Sequence, residues 1–233
     1  MTEQVVTLIT GSRTGIGRFL VDHYLGQGHL VFGCSRNAFT ESLPGYEHFS
    51  LDVSDENAVK LMMNAVRQKC GRLDNLINNA GIAATGNFLL TPAETVMRVY
   101  KTNVIGSFLC AREAAKLMKK RRCGRIVNFS SAAVPLKLEG EAIYASSKAA
   151  LVSLTEILAR ELAPFGITVN TVGPTPVETD LIRAMPQDKV QDVIDRQPIR
   201  RPGTCADIAN VIDFFLRPES DFITGQAIYL GGF

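Results

Sequence analysis

Strand-like and helical segments alternate along this chain from end to end. The runs VVTLIT, LVFGCS, YEHFSLDV, NLINNAG, RIVNFSS, ITVNTV and AIYLGG read as seven strands. They are short and mostly apolar, as expected when helices cover both faces of a sheet. A glycine-rich turn and a helix through about Gln27 follow the first run. Further helices are predicted over Asp55 to Lys69, with Ser54 a plausible N-cap, and from about Pro92 to Lys120. Another carries IYASSKAALVSLTEILARELA and ends near Phe165-Gly166, and the last spans Asp207 to Leu216. This alternation predicts an α/β fold with a mostly parallel sheet. The 233 residues suit one domain, 1–233, with a sizeable core. Residues 173–203, rich in proline and charge, are too irregular for core and read as a lid over a site, at about 175–203.

Composition removes several classes of function. The net charge of +2 gives no electrostatic case for nucleic acid. The basic run Lys119-Lys120-Arg121-Arg122 reads as a solvated helix end favoured by the helix dipole. No apolar run reaches about 18 residues, so no membrane partner is expected. The segment MTEQVVTLIT lacks a basic stretch followed by a long apolar one, so no secretory signal is expected. The five cysteines are scattered, odd in number and form no C-x-x-C. Reduced thiols in a cytoplasmic protein, with no metal, are the expectation. His23, His29 and His48 read as surface or satisfied residues, and Met62-Met63 as the packed face of a helix.

Three features carry chemistry. The first is Gly11-Ser12-Arg13-Thr14-Gly15-Ile16-Gly17, placed between the first strand and the first helix. Such a turn presents backbone N–H groups and a helix dipole to a diphosphate. Its spacing is G-x-x-x-G-x-G rather than G-x-G-x-x-G. The second is Ser35-Arg36 at the end of the second strand, where an acid would favour NAD. Arg36, with Arg13, suits a 2′-phosphate instead, so NADP(H) is favoured over NAD(H). The third is Tyr144 and Lys148, four apart and therefore on one helical face. A phenol titrates near pKa ~10, and a neighbouring ammonium lowers that value, which makes a usable proton donor and acceptor.

These residues, with LDV (51–53), NNAG (78–81), Asn103, Ser131 and GPTPVET (173–179), resemble the short-chain dehydrogenase/reductase family over nearly the whole chain. The resemblance implies a Rossmann-type, doubly wound, mostly parallel seven-stranded sheet. It implies that Tyr144 is the acid/base, that Lys148 lowers its pKa and holds the nicotinamide ribose, and that Ser131 binds the substrate oxygen. Asn103 would hold a water linking Lys148 to solvent. Asp52 and Val53 would line the adenine pocket, and Asn79, Ala80 and Gly81 the floor near the ribose. Val177 and Thr179, on the loop after Pro174, would position the carboxamide. One departure stands out: Thr175 follows Pro174 where the family usually has glycine, and Pro176 stiffens the same loop.

The implied reaction is interconversion of a small-molecule carbonyl and a secondary alcohol. The likeness is strongest to 3-oxoacyl-acyl-carrier-protein reductases. Arg122 lies where a basic group for a carrier protein would be useful, while Phe165 stands where another arginine would often help. A sugar or polysaccharide-pathway dehydrogenase is the rival substrate reading. Arg183, Lys189 and Arg196 in the lid either greet an acidic substrate or are solvated charges. A non-catalytic dinucleotide sensor or scaffold is the rival of another class, though such members commonly lose the Tyr or the Lys. A homotetramer, or a homodimer, is expected by resemblance alone.

Overall fold

The seven apolar runs become seven parallel strands of a single sheet. A computed structural model describes residues 4–177 and 187–233. The strands are β1 (Val6–Thr10), β2 (Leu30–Ser35), β3 (Tyr46–Ser50), β4 (Asn75–Asn78), β5 (Gly124–Phe129), β6 (Ile167–Gly173) and β7 (Ala227–Tyr229). Their spatial order is β3-β2-β1-β4-β5-β6-β7, with every pair parallel. The winding direction reverses between β1 and β4. In an open α/β sheet that switch point, at the carboxyl ends of the strands, is where ligands bind.

Side chains alternate through the sheet and build a core on each face. Val6 and Leu8 of β1 join one cluster, and Ile9 joins the other. The first cluster is covered by α2 (Glu56–Cys70), α4 (Ser107–Arg121) and α6 (Ala142–Leu162). The second is covered by α1 (Gly15–Gly26) and α8 (Cys205–Leu216). The doubly wound, helix-covered sheet expected from the sequence is therefore present.

Four local readings change. The cap of α2 is Asp55, not Ser54, and its carboxylate accepts from the backbone N–H of Asn57 and Ala58. A carboxylate there also complements the helix dipole. The long helix is three pieces: α3 (Ala93–Tyr100), a π turn (Lys101–Gly106) and α4. The irregular lid contains α7 (Gln187–Asp195), which buries Val190, Val193 and Ile194. A short helix, α5 (Ala133–Leu136), follows β5.

The segment Ala142–Phe165 is long and apolar enough to cross a membrane by length and composition. Here it packs along β5 and β6. The histidines are satisfied as expected: His23 by Asp213, His29 by Thr7, and His48 by Tyr46 and Ser35.

Candidate active site

A cavity of about 400 Å³ opens at the carboxyl edge of the sheet, over the switch point. Gly11, Arg13, Thr14, Gly15, Ile16 and Gly17 line one end, and Ser131, Tyr144 and Lys148 another. Arg36, Asp52, Val53, Asn79, Ala80, Gly81, Pro174 and Val177 also line it. Thr179 and Arg183 lie outside the described residues. Two expected residues do not line the cavity. Ser12 is buried beneath the turn, its hydroxyl bonded to Tyr46 at 2.9 Å. Asn103 sits behind Gly81 rather than at the surface of the cavity.

The turn fits a diphosphate on local grounds. Gly11 and Gly15 adopt φ of 68° and 57°, which suits glycine. The α1 N-terminus has no side-chain cap and no acid in its first turn, so its N–H groups and dipole are available to an anion. Asn79 fastens the turn, donating to the carbonyls of Thr10 at 2.9 Å and Gly11 at 3.1 Å. The Ala80 N–H donates to the Thr10 hydroxyl at 2.9 Å. Among the described residues, neither Arg13 nor Arg36 has an ion-pair partner, and both are exposed at the cavity.

The π turn carries Asn103 into the interior. Its amide accepts from Ile82 N–H at 2.8 Å and donates to Ile82 C=O and Ser147 Oγ, both at 3.0 Å. Its donors are thus spent, and Oδ1 keeps a lone pair for the water implied by the resemblance. Lys148 is buried and donates to the Phe129 carbonyl at 2.8 Å. Burial lowers its pKa to about 8.

Tyr144 departs from expectation. Burial pushes its phenol above the ordinary 10, a hydrogen bond with Ser131 lowers it, and the Glu141 charge raises it. Lys148 is not among the groups that shift it; its Nζ lies 5.9 Å from the ring centre and turns to Phe129.

The Thr175 departure is accommodated without strain. Among the described non-glycine residues only Arg122 and Lys137 have positive φ, so Thr175 uses ordinary backbone. Its side chain is buried against Gly203 and Gly231, where any Cβ would come within 2.9 Å of it. The loop is held by Ala132 N–H on Pro174 C=O and by Gly203 N–H on Pro176 C=O.

The sequence reading passed over Glu141. It lines the cavity three residues before Tyr144, is buried, and accepts from the Thr85 hydroxyl at 2.7 Å. The signal was an acid in the same helical turn as the phenol.

The comparisons follow this geometry. The model of a family described as Enoyl-(Acyl carrier protein) reductase matches residues 11–232. The chain is 31% identical over 237 residues to 3-oxoacyl-(acyl-carrier-protein) reductase FabG of Salmonella typhimurium, covering 99% of this chain and 97% of that protein. Identity to FabG of Staphylococcus aureus is 33% over 235 residues, covering 97% and 96%. Among solved structures, ElxO with NADP bound matches with a TM-score of 0.90 at 30% identity over 97% of both chains. Thermoplasma acidophilum aldohexose dehydrogenase (AldT) in ligand-free form matches at 0.90 and 27%, over 99% of this chain and 94% of that one. The likeness carried by scattered motifs thus extends through sequence and backbone alike, and the chain belongs to the short-chain dehydrogenase/reductase family of oxidoreductases.

Proposed function

We propose that this protein is an NADP(H)-dependent oxidoreductase that interconverts a carbonyl and a secondary alcohol on a small molecule. The observation that carries this reading is the convergence of Ser131, Tyr144 and Lys148 in the cavity that also holds the glycine turn. When bound, the nicotinamide would supply or accept the hydride. The other roles belong to this chain. The α1 N-terminus and the glycine turn hold the diphosphate, and Arg13 and Arg36 hold the 2′-phosphate. Lys148 holds the ribose. Ser131 and Tyr144 place two polar hydrogens on the substrate oxygen, where negative charge grows during reduction. Tyr144 then gives that oxygen its proton, and in the reverse direction takes it. A phenol kept above its ordinary value stays protonated at neutral pH, which suits the donor role.

The relatives named 3-oxoacyl-(acyl-carrier-protein) reductase support a 3-oxoacyl thioester as substrate. The aldohexose dehydrogenase supports a sugar. NADPH oxidation measured against acyl thioesters, keto-sugars, steroids, quinones and small diketones separates these. Tyr144→Phe should abolish turnover while leaving NADPH affinity nearly intact; full activity in that variant sinks the mechanism. Arg36→Asp should move cofactor preference toward NADH. An unchanged ratio of kcat/KM for the two cofactors would show that Arg36 does not read the phosphate.

The cysteines among the described residues are unpaired, which suits a reducing compartment, so we place the protein in the cytoplasm. We place it there as an oligomer of this chain, held by the exposed apolar residues of α3, α4 and α6.

A further inference from the structure

Glu141 serves neither of the roles just assigned. It is only 6% exposed, yet it lines the cavity beside Tyr144. It stands at the N-cap of α6 but makes no capping bond with its side chain. Its Oε1 accepts from Thr85, and no described residue donates to Oε2. Oε2 is also absent from the buried atoms that lack a partner, so it is open to the cavity. The two loops that hold it are fixed to each other, Gly86 N–H donating to Gly140 C=O at 2.9 Å.

A carboxylate here is unfavourable for the chain. Burial opposes its charge, an effect only partly offset by the Thr85 bond and the charge of Lys189, whose Nζ lies near Gly140. Its charge also raises the Tyr144 phenol. A glutamine would satisfy Thr85 equally well through its carbonyl oxygen. The Thr85 bond therefore does not account for the charge. What a carboxylate adds is a strong acceptor open to the cavity.

Building on the carbonyl–alcohol reading above, we propose that Glu141 is the specificity-determining group of this site. Its free oxygen accepts a hydrogen bond from a substrate hydroxyl close to the reacting carbon. The preferred substrate is thus a hydroxylated ketone, or the corresponding polyol, rather than a ketone flanked by plain hydrocarbon. A substrate lacking the hydroxyl leaves a buried carboxylate oxygen without a donor, which a site of this kind penalises.

The test uses matched ketones with NADPH: acetoin against butanone, and α-hydroxycyclohexanone against cyclohexanone. The wild type should prefer the hydroxylated member by about 10- to 100-fold in kcat/KM, as for one hydrogen bond to a charged group. Glu141→Leu should erase that preference, chiefly through KM, and leave turnover of the plain ketone within a few-fold. Glu141→Gln keeps the Thr85 bond and removes the charge, but its N–H still donates to the substrate hydroxyl oxygen; it should lower the preference to a few-fold rather than erase it, and it covers the case where the leucine variant does not fold. Equal use of both members by the wild type overturns the proposal. So does an equal loss on both members in the two variants, which would make Glu141 a structural residue. Turnover of plain ketones that Tyr144→Phe abolishes keeps the reaction class in place whichever way the preference falls. Persistence of that turnover in Tyr144→Phe removes the reaction class itself.

Discussion

Lys148 is a charge kept where water is scarce, and the chain bears the consequence throughout the neutral range. Burial brings its pKa from the ordinary 10.5 to about 8. Below pH 8 the amine is protonated in folded and unfolded chains alike, and the full unfavourable term stands. Between 8 and 10.5 the unfolded chain binds more protons than the folded one, so stability rises with pH across that window. The gap corresponds to roughly 3 kcal/mol, reduced by the bond that Lys148 makes with Phe129 C=O. Lys148→Met should therefore be inactive yet at least as stable as the wild type at pH 7. Urea titrations should show the stability difference narrowing as pH rises from 8 to 10.5. A difference that does not change with pH would mean that the amine is not desolvated as described. The same logic explains why this pair was legible in sequence while its electrostatics were not. Four-residue spacing fixes a shared helical face, but the half-buried setting of Tyr144 and the turn of Lys148 toward Phe129 of β5 are set by the tertiary fold.

At the scale of elements, what could be read was what is local. The α1 entry was legible because glycine is required there by nearby backbone, and this can be checked with a matched pair. An added Cβ on Gly17 would lie 2.1 Å from the Gly11 carbonyl oxygen, whereas one on Gly26 would meet nothing within 4 Å. Gly17→Ala should destabilise by on the order of 3 kcal/mol or more and weaken NADPH binding. Gly26→Ala, in the same helix, should be neutral or stabilising by up to about 1 kcal/mol. Thermal melts that move equally for both would refute the close approach. The five inner strands were legible because each run is apolar enough to be buried on both faces, while the edge strands β3 and β7 are only partly buried. The break in the long helix was not, because the glycine that closes it, Gly106, does not by itself signal a π turn. The π turn accompanies bonds from Asn103 to Ile82 and Ser147, partners 21 and 44 residues away. Helix α7 had a readable sign, apolar residues at Val190, Val193 and Ile194, but the prolines around it drew the reading toward a loop. Within that lid Arg196 proves a solvated charge, paired with Asp192 one turn earlier. Glu141 escaped because its partner Thr85 is 56 residues distant and no spacing rule joins them.

At the scale of the whole molecule, the outer surface of the helices beside the site carries several exposed large apolar side chains. Helix α3 and the π turn pack against α6. Met97, Ile105, Phe108 and Ile157 on these neighbouring elements are 59%, 45%, 41% and 52% exposed, which puts large side chains on one flank of the sheet. Scattered apolar residues are ordinary on a surface, but several large ones on adjoining helices suit an interface. We propose that this surface brings two copies together about a two-fold axis, each burying the same helices. The last strand, β7, lies at one edge of the sheet, so a second contact there would turn such a dimer into the expected tetramer. Sedimentation equilibrium should give a mass that is a multiple of the 25.4 kDa chain. Phe108→Glu with Ile157→Glu should reduce that mass while circular dichroism stays unchanged, since both side chains lie outside the core. A wild type that sediments at 25.4 kDa would leave these residues as plain surface. An intact oligomer in the double variant would move the interface elsewhere. The outcome bears on the site as well: α6 carries both Tyr144 and Lys148, and a partner packed on its outer face would hold the helix that aims them.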